Sequence, residues 1–394
     1  MDEKFRLTLA QMNPVVGDLE GNAAKARDAW DAAKTAGADM VALPEMFITG
    51  YNTQDLVLKP AFHRAAMDQI EALALACAEG PAMGIGGPYV QDGALYNAYY
   101  ILRNGKVSHR ALKHHLPNET VFDEVRLYES APLSGPYSVG DLRIGSPICE
   151  DAWHEDVAET MAETGAEILL VPNGSPYFRG KLEVRQNIMV SRVIETELPL
   201  VYLNMVGGQD DQVFDGGSFV LNPGGELAVQ LPLFDTEIAH VDFTRGAQGW
   251  RAEPGPKAHI PDPMEQDYRC MVESLRDYCG KTGFGKVLLG LSGGIDSAIV
   301  ATIAADALGA ENVRCVMLPS EYTSQGSLED AKEAAQKLGC HYDFVPISEG
   351  RTAITNTLAP LFEGLDEGLT EENIQSRLRG LLLMAMSNKF GEML

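Results

Sequence analysis

A thiol, an ammonium group and a carboxylate each fall at or just beyond the end of a predicted strand. Cys149 ends RIGSPICE, Lys113 follows a hairpin strand that runs to Ala111, and Glu45 ends VALPE. α/β proteins place chemistry at strand ends, because a side chain there is aimed into a crevice from a rigid base. A thiol becomes a useful nucleophile when a base and a cation stand beside it. A glutamate could take the thiol proton and later activate water. A lysine could stabilise the oxyanion of a tetrahedral intermediate, helped by backbone N–H groups around Cys149. Each residue also has a plainer reading: a buried small hydrophobe, a cap or surface carboxylate, a surface charge.

A second constellation lies in KVLLGLSGGIDSAIV, which reads as a strand, a glycine turn and a helix start. The run Gly290, Leu291, Ser292, Gly293, Gly294, Ile295, Asp296 and Ser297 has the makings of a phosphate cradle. Its glycines let the backbone approach closely, and the helix start presents unpaired N–H groups. Asp296 beside a phosphate is repulsive unless a cation intervenes, which points to Mg²⁺ at Asp296. The run lacks the Gly-Lys-Ser/Thr ending of a Walker A loop.

The elements that must hold these groups alternate. Strands are expected over 6–12, 39–45, 83–90, 97–102, 106–111, 142–149, 167–172 and 200–206, with helices over 22–37 and 61–78. Asn104-Gly105 should turn one hairpin, and a second is expected around 222–225. The stretch 245–263 is rich in Gly and Pro without an apolar period, so 246–263 reads as a linker between a domain of residues 1–245 and one of 264–394. Beyond it a helix (264–282), strands (286–291, 313–319, 343–347) and helices (297–308, 327–338, 378–389) give a βαβαβ order and a doubly wound parallel sheet. The last residues read as the start of another strand, so the second domain is expected to be incomplete.

The net charge of −25 argues against nucleic acid, which needs a basic surface. No run of about 18 apolar residues and no signal-peptide layout occur, so neither a membrane nor export is expected and a cytoplasmic enzyme is the default. The six cysteines show no CxxC pair. His114 and His115 are expected to point apart on a strand, so a zinc site is not anticipated there.

LPEMFITGY (43–51), KHHLPNETVFDE (113–124), PICEDAW (147–153), NGSPYFRGK (173–181) and VGGQDDQVFDGGSFV (206–220) resemble the nitrilase (carbon–nitrogen hydrolase) superfamily. Within it they look most like the glutaminase domain of the glutamine-dependent NAD⁺ synthetases. The resemblance implies an αββα sandwich, with Glu45 as general base, Lys113 as oxyanion stabiliser, Cys149 as nucleophile and Glu124 orienting the lysine. Ser175 and Lys181 match glutamine-binding positions. A tyrosine is common six residues after the lysine; here it is Glu119, which would meet the α-ammonium group instead. SGGIDS resembles the pyrophosphate loop of N-type ATP pyrophosphatases. VMLPSEYTSQGS (316–327) and NIQSRLRGLLLMAMSN (373–388) look like an NAD⁺ synthetase domain with a Rossmann-like sheet, in which Arg377 matches a position that binds deamido-NAD⁺. The resemblance implies ammonia made from glutamine at Cys149, ATP-dependent amidation of deamido-NAD⁺ to NAD⁺ with release of AMP and pyrophosphate, ATP and Mg²⁺ at the second site, and a homo-oligomer. Against the apparent incompleteness, the alternative is a glutaminase or amidase with a weak or inactive second half.

Overall fold

The computed structural model describes residues 3–366 and 368–394. The chain divides into two compact units, Met1–Cys270 and Met271–Leu394.

The first unit is built on two sheets. One has seven strands, in the order Gly249–Ala252, Glu237–Gly246, Lys4–Gln11, Met40–Ala42, Ala82–Gln91, Ala94–Arg103, Lys106–Leu112. The other has six, in the order Glu226–Gln230, Phe219–Asn222, Leu200–Asn204, Ile168–Asn173, Leu142–Gly145, Tyr137–Val139. Alternation decides what each face meets. Leu7, Leu9, Met40 and Ala42 share a core with Ile144, Leu170, Val201 and Val220 of the other sheet. Ala10, Val41, Leu43 and Met83 pack instead with residues of the helices Leu19–Thr35 and Pro60–Ala76. The helices Glu155–Glu163 and Lys181–Thr196 cover the second sheet through Val157, Met161, Met189 and Val193. Both faces of the central strands are therefore apolar, and the layers are αββα.

Strands end early where chemistry begins. The strand expected over 39–45 covers only Met40–Ala42; Leu43 N–H still donates to the Gly84 carbonyl, and Pro44, which has no N–H to give a ladder, comes next. The strand expected over 142–149 stops at Gly145. Cys149 then opens a short 3-10 turn at φ 48°, a left-handed conformation unusual for a non-glycine residue.

The Asn104-Gly105 turn forms with φ values of 53° and 77°, as a tight primed hairpin requires. One bulge shifts this hairpin's register between Ile101 and Leu102, where Ser108 is the extra residue and its Oγ donates to the Ile101 carbonyl at 2.9 Å. Beyond the bulge, Lys113 N–H donates to the Asn97 carbonyl at 2.9 Å.

The linker expected over 246–263 is corrected in part. Gly249–Ala252 is a strand paired with Glu237–Gly246, and Trp250 is buried in the core. The residues after it stay tied to the first unit: Gly255 N–H donates to the Ala228 carbonyl, and Ala258 N–H to that of Gln230. Glycines at the hairpin turn disguised it as a linker.

The second unit carries a three-stranded parallel sheet, in the order Val287–Gly290, Val313–Met317, His341–Phe344, with Val287 also bridged in parallel to Met393. The third strand starts two residues before its expected 343, and extended pairing continues as Val345 and Ile347 donate to the Met317 and Pro319 carbonyls. Helices Ile295–Leu308 and Gln325–Leu338 make the crossovers, and a long helix, Leu369–Phe390, follows. No helix among the described residues is long and apolar enough to cross a membrane.

Candidate active sites

The first site collects charge where water is absent. Lys113 Nζ lies 2.7 Å from Glu45 Oε1 and 2.8 Å from Glu124 Oε2, and all three side chains are fully buried. Asn97 Nδ2 donates to Glu45 Oε1 at 2.8 Å and to Glu124 Oε1 at 3.3 Å. Tyr51 Oη donates to Glu124 Oε1 at 2.9 Å, and Gly174 N–H to Glu45 Oε2 at 2.8 Å. Each of the four carboxylate oxygens thus faces a donor or the ammonium, the condition on which buried charge is tolerated.

Burial disfavours the ammonium of Lys113, but Glu124 and Glu45 overcome it and lift its pKa well above the ordinary lysine value. Lys113 therefore stays charged. Burial pushes Glu124 up to about 7; Lys113 opposes the rise and Glu45 adds to it. Burial also raises the Cys149 thiol well above its usual range, with Glu45 adding to the rise and Lys113 opposing it. The resting nucleophile is a thiol, so a base must take its proton during attack.

Asp151 positions the two chain segments that carry Lys113 and Cys149. Its buried carboxylate accepts N–H bonds from His114 at 3.0 Å, His115 at 2.7 Å and Ile148 at 3.0 Å. Asp151→Ala would orphan these donors. It is expected to cost roughly 2–4 kcal/mol, read as a lower urea midpoint at unchanged slope. All three tryptophans, Trp30, Trp153 and Trp250, lie in the first unit, so their fluorescence reports that unit alone. An unchanged midpoint would show that the carboxylate does not hold the segments together.

Around this centre Ser175 is buried, with its N–H on Asn204 Oδ1 at 2.9 Å and its Oγ accepting from Arg185 Nε at 3.2 Å. Arg185 is in turn paired with buried Asp215 at 2.8 Å. Lys181 is half-buried, its Nζ 4.3 Å from the Trp153 ring centre and 4.4 Å from that of Phe178. Burial, then Arg185, lower its pKa. Glu119 is exposed, and its backbone carbonyl accepts from Phe122 N–H, so the described contacts do not join its side chain to the buried cluster.

Sequence reasoning missed Asn97, Tyr51, Asp151, Arg185 and Asp215. Tyr51, Asp151 and Asp215 sit inside motifs that were singled out, and only the fold reveals what they touch. His114 and His115 do not point apart. The strand ends at Leu112, the backbone beyond it is irregular, and the two rings meet edge to face with centres 4.6 Å apart.

In the second unit the serine–glycine run lies between the strand Val287–Gly290 and the helix Ile295–Leu308. Ser297 Oγ accepts from Ser292 N–H at 3.2 Å and donates to the Gly294 carbonyl at 2.9 Å; Ser292 Oγ accepts from Gly294 N–H at 3.2 Å. Gly293 has φ 85°, and a Cβ there would stand 2.3 Å from the Ser327 carbonyl oxygen. Asp296 is exposed on the first helical turn. Arg377 is exposed on the helix Leu369–Phe390 and lines a cavity of about 530 Å³ with Ile354, Asn373, Ile374 and Leu381. Arg379 Nε donates to the Leu318 carbonyl at 2.9 Å.

An αββα sandwich around a buried thiol, ammonium and carboxylate defines the carbon–nitrogen hydrolase class, and residues 6–252 match the carbon–nitrogen hydrolase family model. Residues 268–394 match the NAD synthase model. The glutamine-dependent NAD(+) synthetase of Rhodobacter capsulatus is 61% identical over all of this chain and 71% of its own length. That of Thermotoga maritima is 36% identical, over 99% of this chain and 73% of its own. The structure of glutamine-dependent NAD⁺ synthetase from Acinetobacter baumannii with ADP superposes with a TM-score of 0.94 at 36% identity, covering 99% of this chain and 74% of that one. An amidase from Nesterenkonia sp. shares the fold of the first unit at 22% identity, with a TM-score of 0.54, 61% of this chain and 90% of its own.

The chain belongs to the glutamine-dependent NAD(+) synthetase family, carbon–nitrogen ligases that carry a hydrolase unit and an NAD synthase unit on one polypeptide.

Proposed function

We propose that glutamine is hydrolysed at Cys149 through a thioester. Glu45 takes the thiol proton as Sγ attacks the side-chain amide carbon. Lys113 and backbone N–H groups near Cys149 stabilise the oxyanion. The proton on Glu45 passes to the departing nitrogen, and ammonia leaves. A water that then gives its proton to Glu45 attacks the thioester and frees glutamate and the thiol. Glu124 orients Lys113. Ser175 and Lys181 hold the substrate's polar ends, and Glu119 meets the α-ammonium group at the rim.

At the second site the run Gly290–Ser297 cradles ATP phosphates and Arg377 holds deamido-NAD⁺. The nicotinate carboxylate attacks the α-phosphate of ATP and pyrophosphate leaves; the adenylate so formed is a good leaving group, and ammonia displaces it as AMP to form the amide. The side-chain oxygens of this loop, the Ser292 and Ser297 hydroxyls and the exposed Asp296 carboxylate, fit a phosphate with a hard cation. Asp296 would hold Mg²⁺, which neutralises phosphate charge. A cytoplasmic, self-associating enzyme belongs to the same reading; the exposed Leu369, Leu381 and Met384 support the association.

One observation carries the proposal: a charged lysine fixed between two buried carboxylates, close enough to Cys149 to shift its thiol. A diazoketone analogue of glutamine is expected to alkylate the protein once, at Cys149, with matching loss of glutamate release. Labelling at another cysteine would overturn it. Gly293→Ala, which forces a methyl group against Ser327 and an unfavourable φ, is expected to weaken ATP binding by about tenfold or more. Calorimetric titration would measure that loss, while glutamate release stays at the unsubstituted rate.

A further inference from the structure

Beside the buried cluster, but outside it, the fold gathers a second set of donors. His114, His115 and Asp156 are half-buried, and one potential ligand atom of each lies within 4.8 Å of the others. His115 Nε2 is 2.9 Å from Asp156 Oδ1 and 3.0 Å from Oδ2. His114 Nδ1 is 2.5 Å from the Ala131 carbonyl oxygen. A carbonyl only accepts, so Nδ1 carries the hydrogen, and a neutral His114 ring keeps its lone pair on Nε2. That is how metal-binding histidines are held: one nitrogen fixed by a backbone carbonyl, the other presented to the ion. The backbone is fixed as well, because Asp151 accepts the N–H groups of both histidines. His154 stacks on His115 with ring centres 3.9 Å apart and covers one face of that ring.

We propose that His114, His115 and Asp156 form a binding site for a divalent transition-metal ion of the zinc, cobalt or nickel class. Two imidazoles and a carboxylate suit such ions and leave a position for water. The ion takes the place of the hydrogen now shared between His115 Nε2 and Asp156; in a neutral ring that one hydrogen moves to Nδ1, so the ring changes tautomer and no net proton is released. The site joins the segment after Lys113 to the helix Glu155–Glu163, which follows the Cys149 turn. The glutaminase chemistry proposed above needs no such ion, so the two readings stand or fall separately.

Cobalt(II) is the probe, added to the metal-free full chain. One equivalent is expected to bind with weak visible absorption and no thiolate charge-transfer band. Cys149→Ala should bind it equally well. His115→Ala and Asp156→Ala should each weaken binding by at least the roughly 10- to 100-fold that loss of an outer-shell partner costs. Glutamate release without metal and an unchanged urea midpoint will establish that these two variants fold. Equal cobalt affinity in both variants would overturn the proposal. So would a charge-transfer band that disappears in Cys149→Ala, which would put the ion on the thiol.

Discussion

Cys149→Ala is expected to lower glutamate release by about 10,000-fold or more, the scale on which loss of a nucleophile registers in enzymes that act through a covalent intermediate. Any rate of NAD⁺ formation that added ammonia supports should be unchanged, because the second unit holds its own loop and helices. The stability read from urea unfolding should fall by no more than about 1 kcal/mol, since alanine tolerates φ 48° no worse than cysteine and little volume is lost. Cys149→Gly, which also relieves the left-handed backbone, should be equally inactive and somewhat more stable than the alanine variant. An alanine variant that still turned over glutamine would remove the thioester from the mechanism.

Lys113→Met is expected to have the largest effect on stability, about 3–5 kcal/mol, because it leaves Glu45 and Glu124 buried and facing each other without their cation. The loss should depend on pH with a definite sign. In the intact protein the Glu124 pKa rises from 4.5 to about 7 through burial, with Lys113 opposing and Glu45 assisting. A carboxyl whose folded pKa lies above its unfolded one favours the fold while protonated. Its contribution is fully present below about 4.5 and is lost as pH rises through about 7. Glu124→Gln should flatten that part of the profile. Lys113→Met should steepen it and extend it upward, because what opposed the rise is gone. Urea midpoints by tryptophan fluorescence, taken at intervals across this range for the three proteins, measure the difference. Coincident profiles for Lys113→Met and the unsubstituted chain would refute the assigned electrostatics.

The layers of the fold were legible because alternation and helix periodicity repeat over many residues, and Glu45, Lys113, Glu124 and the serine–glycine run were legible because they sit in dense local motifs. Asn97 was not. It lies mid-strand in YNAYYIL, where nothing local separates a buried amide from its neighbours, and only the fold brings to it Glu45, beyond the strand Met40–Ala42, and Glu124, at the start of a short helix. Asp156 was hidden for a related reason: forty-odd residues separate it from His115, and their meeting depends on the helix Glu155–Glu163 packing on the second sheet. Trp250 shows the opposite failure. Flanking glycines suggested a linker, although they serve a hairpin whose indole is core.

The bulge at Ser108 counts residues. Between the Asn104-Gly105 turn and the site, one strand spends one residue more than the other, and that surplus brings the backbone of Lys113 opposite Asn97. Deleting Ser108 would leave a regular hairpin with a sound turn and would keep His109 opposite Ile101 and Lys113 opposite Asn97. Keeping Ser108 but pairing it with Ile101 would instead set Leu112 opposite Asn97 and turn every side chain beyond it to the other face. The enzyme's phase thus depends on leaving that one residue out of the ladder. Lineages of this chain are free to change loop lengths at exposed turns, whereas a one-residue gain or loss in the regular pairing between the bulge and Lys113 would keep the architecture and silence the thiol.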